Sequence, residues 1–289
     1  MIPNNNLSVL PFYRSLDQQN ARKWWLYGRV YPLYTPAGYL LPFQIMYSSD
    51  DNSTIASFRL YKADGTSVGD YLQNFIDAGA YVVNYSSRGY KLLIFGGQTP
   101  IWTTMNNGQY YVRISVGGKY YYSEIFTVVN DIEPYLKLEW WDVENFYMDA
   151  GMIVYKYHNN TQFKNILYLP SDIAKPEYVF EEEGETRDGY FFPSKQISEK
   201  RYRFNFLASE YLLDVMRFIR MADFAEITYH GQLYSLDTFL ITPEWENNGD
   251  VAKVEAVFDT ATVAKKLGVG YIKAQRGDFN DDFNNDYDV

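Results

Sequence analysis

Residues 109–130 read QYYVRISVGGKYYYSEIFTVVN, two runs of aromatic and β-branched residues on either side of Gly117-Gly118. Such side chains favour the pleated, half-buried surface of a strand. A Gly-Gly pair between them supplies the positive φ that a two-residue hairpin turn needs. The stretch therefore predicts an antiparallel hairpin, and with it a β-rich chain.

Upstream, the pattern continues as short strands separated by turns. LLPFQIMYS (40–48) and KLLIFGG (91–97) are compact apolar runs, and IASFRLYKADG (55–65) alternates before Asp64-Gly65 closes it. Met105, Gly108, Tyr110 and Tyr111 resemble the turn-then-Tyr entry into a late strand of fibronectin-like sandwiches. Residues 40–130 are expected to form an antiparallel Ig/fibronectin-like β-sandwich. Asp131-Ile132-Glu133-Pro134 is polar and holds a proline, which marks a boundary.

Downstream, residues 135–268 predict a second β-rich domain. YLKLEWWDVENFY (135–147), MIVYKYH (152–158), FKNILYLP (163–170) and KRYRFNFLA (200–208) read as strands, with EEEGETRDGY (181–190) as a charged loop. One helix is expected at about 209–222: Ser209 as its cap, Glu210 at the positive end of the dipole, and Leu212, Leu213, Met216 and Ile219 at helical spacing. A hairpin turning at His230-Gly231 and strands at 239–245 and 250–260 close the domain. The fold class is thus mainly β, in two β-rich domains.

The two ends differ from these domains. Residues 1–39 are broken by Pro3, Pro11, Pro32 and Pro36, yet carry Phe12, Tyr13, Trp24 and Trp25. Such an arm should pack on its own domain or on a neighbouring chain. Residues 269–289 form an acidic tail: five Asp and no Lys or Arg fall within 278–289, half of the net charge of −10. Its Phe279, Phe283 and Tyr287 recur at four-residue spacing, as partner-docking positions would. Asp278, Asn280, Asp282, Asn284 and Asp286 alternate like the start of a calcium loop. However, Phe283 stands where that loop needs Gly and Val289 where it needs Glu.

Composition narrows the chemistry. Without Cys there are no disulfides, thiol nucleophiles or thiolate metal sites. The two His, His158 and His230, sit at turn signals and lack a partner at metal-binding spacing. Glu139, Asp142 and Glu144 beside Trp140-Trp141 invite comparison with glycosidases, which use paired carboxylates and stack sugars on aromatics. One strand cannot oppose two such acids, so an amphipathic strand is the expected reading. No phosphate-cradling Gly loop, cofactor motif or nucleophile elbow is present. No basic stripe points to nucleic acid, no apolar run is long enough to span a bilayer, and no secretory leader is visible. No catalytic, cofactor-binding or metal residue is therefore assigned, and the chain is expected not to be an enzyme.

Three stretches resemble structural proteins of phages and prophages of gut Bacteroidetes, encoded near tail or virion-assembly genes. They are LPFYRSLDQQN with YPLYTPAGYLLPFQI (10–45), NGQYYVRISVGGKYYYSEIFTV (107–128) and the stretch 201–268 that begins RYRFNFLASEYLLDVMRFIRM. The resemblance implies a virion component of the tail, tail hub or neck, assembled in the bacterial cytoplasm, whose partners are other virion proteins and copies of itself in an oligomer such as a ring. It assigns no functional residues. The candidate interface residues are Phe12, Tyr13, Trp24, Trp25, Trp140, Trp141, Phe279, Phe283 and Tyr287. The alternative is a carbohydrate-binding module for host surface glycans, with Trp24-Trp25 or Trp140-Trp141 as stacking platforms.

Overall fold

The computed structural model describes residues 8–17, 33–85, 89–103, 105–143, 146–147, 153–154, 157–158, 161–245, 251–260 and 264–267. The chain is mainly β. The hairpin predicted at Gly117-Gly118 is formed by β8 (Gly108–Val116) and β9 (Lys119–Ser123), with Val116 opposite Lys119. Both glycines have positive φ, 60° and 72°, as the tight turn requires. After Glu124 and Ile125 the chain resumes as β10 (Phe126–Val129), which pairs with the start of β8.

Around this hairpin the N-terminal part builds two layers. Short strands β1 (Phe12–Tyr13) and β2 (Tyr34–Pro36) add to β9 and β10 respectively, and β4 (Ile55–Lys62) and β5 (Ser67–Asp70) add on the other side of β8. A separate three-stranded sheet holds β3 (Phe43–Ser48), β7 (Tyr90–Phe95) and β6 (Tyr81–Tyr85), in the order β3-β7-β6. Helix α1 (Leu72–Asp77), which the sequence pattern did not predict, drops Phe75 between the layers. Its ring centroid lies 4.1 Å from that of Phe58 and 5.2 Å from that of Phe95. The apolar runs 40–48 and 91–97 become strands covered on both faces. Phe43, Ile45, Leu93 and Phe95 join the main core, while Met46, Leu92 and Ile94 pack under Phe163.

The large sheet continues past the Asp131–Pro134 turn. Strand β11 (Leu136–Trp141) alternates buried and half-buried positions; the two-residue strands β12 (Phe146–Tyr147), β13 (Ile153–Val154), β14 (Tyr157–His158) and β15 (Thr161–Gln162) form two small ladders; β16 (Asn165–Leu169) returns beside β11. The charged stretch 181–190 is not a loop. It lies in β17 (Glu177–Arg187) and the turn to β18 (Tyr190–Ser209), which form a long antiparallel ribbon turning at Asp188-Gly189, with φ of 51° and 86°. The sequence signal failed there because no apolar alternation accompanies a stretch with little core beneath it.

Helix α2 (Glu210–Met216) follows directly and passes into a 3-10 turn, Arg217–Met221, within the predicted 209–222. Ser209 makes no capping hydrogen bond; it is the last paired residue of β18, and its buried Oγ has no partner among the described residues. Strands β19 (Phe224–Tyr229), β20 (Gln232–Trp245), β21 (Val251–Thr260) and β22 (Ala264–Leu267) complete the sheet. Its order is β1-β9-β8-β10-β2-β16-β11-β19-β20-β21-β18-β17, with β22 also beside β18. Three-residue β2 bridges the two parts of the chain: Thr127 pairs with Tyr34 on one side, and Tyr168 with Tyr34 on the other. One apolar cluster runs from Phe43 and Phe58 through Leu138 to Phe204, Leu212 and Phe258.

Candidate functional site

Phe12 and Tyr13 are inside. They are 3% and 6% exposed, the Phe12 ring lies 4.5 Å from Phe43, and the Tyr13 hydroxyl donates to Glu124 at 3.0 Å. In this fold they serve their own core, not a neighbour's surface. The alternation of β11 separates the Trp pair. Trp140 faces the core at 2% exposed, while Trp141 on the other face stacks on Phe224 at 5.4 Å with the Lys164 ammonium 3.8 Å from its centroid. Trp24, Trp25, Phe279, Phe283 and Tyr287 lie outside the described residues.

The acids near Trp140 are not brought together. Glu139 pairs with Lys137 at 2.9 Å on the half-buried face of β11. Asp142 is buried at the strand end, where its Oδ1 accepts from the Asp223 backbone at 3.2 Å, and Asp223 in turn accepts from the Val143 N–H at 2.7 Å. Burial first, and then the Asp223 charge, push the Asp142 carboxyl up, against the pull of that N–H. Glu144 lies outside the described residues. His230 takes φ 46° in the two-residue turn between β19 and β20, with Tyr229 opposite Gln232. His158 ends β14 opposite Thr161. Among the described residues no three His, Cys, Asp or Glu gather as a metal group would, and no helix is long and apolar enough to cross a membrane.

Three surfaces emerge that no sequence motif marks. The first is the outer face of β5-β4-β8-β9. Its central row runs Asp70, Arg59, Arg113, Tyr122 across the strands, flanked by Tyr61 and Tyr120. Asp70 binds Arg59 at 3.1 Å, and Arg113 lies between the rings of Tyr61 (5.3 Å) and Tyr120 (4.9 Å). The signal was present in the quoted hairpin, because Arg113, Tyr120 and Tyr122 occupy its outward positions at period two.

The second surface is the β17-β18 ribbon, which carries Tyr178, Phe180 and Tyr190 at 71%, 60% and 72% exposed. Ion pairs and amide contacts hold it: Lys195 to Glu183 at 2.7 Å and Gln196 to Glu182 at 2.6 Å. The third is an open cleft of about 540 Å³ lined by Pro134, Tyr135, Pro170, Ser171, Asp172 and Asn205. There the Ser171 hydroxyl donates to the Asn205 carbonyl at 2.7 Å and the Tyr229 hydroxyl to Asp172 at 2.6 Å. That Asp172 contact holds the Tyr229 phenol above its ordinary range. The cleft can offer hydrogen bonds and an aromatic edge to a polar ligand. Compared with known proteins, the chain matches no family model, no curated protein and no solved structure.

Proposed function

We propose that this chain is a non-enzymatic structural subunit of a phage virion, part of a tail, tail hub or neck, working through contacts with other virion proteins and with copies of itself. In this reading it is assembled in the bacterial cytoplasm, where a chain without Cys has no need of oxidation. Its two β-rich regions act as a sandwich domain over 40–130 and a β domain with one helix over 135–268, and the acidic end 269–289 reaches neighbours. The observation that carries the reading is the β17-β18 ribbon. Three aromatic rings stand largely in solvent on an element with little core of its own, and exposed aromatics of this kind supply contact area at low side-chain entropy cost. Particles purified from the lysed host and digested for mass spectrometry should contain the chain in many copies per particle. Intact, infectious particles without it would refute the assignment.

A glycan-binding role draws on one observation, the open polar cleft beside Tyr135 and Asp172. Trp141 serves it poorly, since Phe224 and Lys164 already engage that ring. Glycan-array binding that disappears in Asp172→Ala would support it, and silence of the folded chain across the array would dispose of it.

A further inference from the structure

The row Asp70, Arg59, Arg113, Tyr122 on the outer face of β5-β4-β8-β9 is short of one negative charge. Arg59 and Arg113 are directly opposite in the β4-β8 register, an arrangement that costs free energy unless each is neutralised. Asp70 neutralises Arg59. Arg113 has no carboxylate in ion-pair range among the described residues, and its Nε has no hydrogen-bond partner. A carboxylate arriving here would relieve the repulsion, and the half-buried rings of Tyr61 and Tyr122, with exposed Tyr120, would receive aromatic side chains beside it.

The chain itself carries a segment of that chemistry. Residues 278–289, DFNDDFNNDYDV, interleave five Asp with Phe279, Phe283 and Tyr287 and hold no cation. We infer that this acidic aromatic segment of a second copy docks on the Tyr–Arg face, with Asp281 or Asp282 against Arg113 and Phe283 among the tyrosines. The inference rests on the subunit reading above and names one of its contacts. The second copy is favoured over the same chain by reach. In the sheet order β18, the partner of β22, is eight strands from β8, roughly 38 Å at about 4.8 Å per strand. Asp281 lies fourteen residues beyond Leu267, a stretch that spans at most about 50 Å when fully extended and about 20 Å when relaxed. A copy's own segment would therefore have to be held at nearly twice its relaxed span, at an entropic cost, whereas a neighbour's need not be stretched.

The test uses the full-length chain with p-benzoylphenylalanine in place of Phe283, prepared in ordinary and nitrogen-15 forms and mixed before irradiation. Cross-links from position 283 should fall on residues 59–61 and 111–122, in pairs of mixed isotope. Their yield should drop about fivefold in Arg113→Gln, the loss of one partly exposed charge pair, and drop again when Asp281 and Asp282 are both changed to Asn. Arg220→Gln, an exposed cation elsewhere, should leave the yield unchanged. Cross-links to other surfaces, none at all, or an undiminished yield in Arg113→Gln would overturn the docking, and pairs of a single isotope would overturn its second-copy form. Light scattering on the same samples separates this from the wider reading: self-association that persists without the cross-link leaves the subunit standing and removes only this contact.

Discussion

Gly117 and Gly118 share a sequence signal but not an environment. Both have positive φ, which costs an L-residue about 1–2 kcal/mol. A Cβ on Gly117 would lie 2.9 Å from Asp51 Cβ and 3.0 Å from the Tyr47 ring, whereas Gly118 has open space. Gly117→Ala should therefore destabilise by more than 2 kcal/mol and Gly118→Asn by under about 1 kcal/mol, since Asn tolerates the left-handed region. Urea denaturation of the two variants checks the contrast. The buried carboxyl of Asp142 carries a prediction of different sign. Its folded pKa is raised, so the proton it retains stabilises the fold at low pH, and that contribution is lost as pH rises through the folded value. Asp142→Asn keeps an acceptor for the Asp223 N–H and removes the buried charge. It should raise the thermal midpoint at pH 7 and give no gain below about pH 3.9, the ordinary aspartate value. A uniform loss at both pH values would refute this account. Asp259 runs the other way: Arg201, bound at 2.9 Å, holds its carboxyl below the ordinary range, so its stabilisation is present above that range and lost as pH falls through the folded value.

At the scale of elements, the short helix α1 and the β17-β18 ribbon show what the sequence could and could not disclose. Strands β3, β7 and β8 were legible because burial on one or both faces imposes apolar runs or alternation on their residues. Helix α1 has six residues and one buried side chain, too short for a period of 3.6 to register. Yet Phe75 is fully buried among Phe43, Phe58 and Phe95. Phe75→Ala should cost about 3–5 kcal/mol, read from the denaturation midpoint. The ribbon was misread for the opposite reason. Its Asp188-Gly189 turn has the same signature as the hairpin turn at Gly117, but Glu181, Glu182, Glu183 and Glu185 are poor strand formers and face water. Those acids also suit its open edge, where like charges discourage the strand from pairing with another β17. Because the ribbon's tip adds little to the core, Gly189→Val at φ 86° should speed proteolysis between 181 and 195 and leave the melting temperature of the whole chain unchanged. A large fall in that temperature would mean the ribbon is coupled to the core.

At the scale of the whole molecule, the segment read from the sequence as an arm is part of what joins the sheet. The aromatic content of 1–39 was legible, but where those side chains go was not, because proline-punctuated sequence has no period to assign a face. The structure places Val9, Leu10, Phe12 and Leu33 in the main core and makes β2 the strand between β10 and β16. Backbone bonds flank it: the Thr127 N–H donates to the Leu33 carbonyl at 2.8 Å, and the Ala37 N–H to the Val129 carbonyl at 3.0 Å. Each of the four buried side chains is worth about 2 kcal/mol, so together they rival the 5–15 kcal/mol by which a typical domain is stable. Deleting residues 1–39 should accordingly abolish folding as well as any assembly, and so cannot by itself locate an inter-subunit contact. Leu33→Ala, a loss of about 2–5 kcal/mol, is the graded version. Calorimetry should show its transition lowered, and circular dichroism should show no cooperative melt for a chain beginning at residue 40. If that shortened chain keeps a native spectrum and a sharp transition, then β2 adds only an edge to two parts that hold together without it.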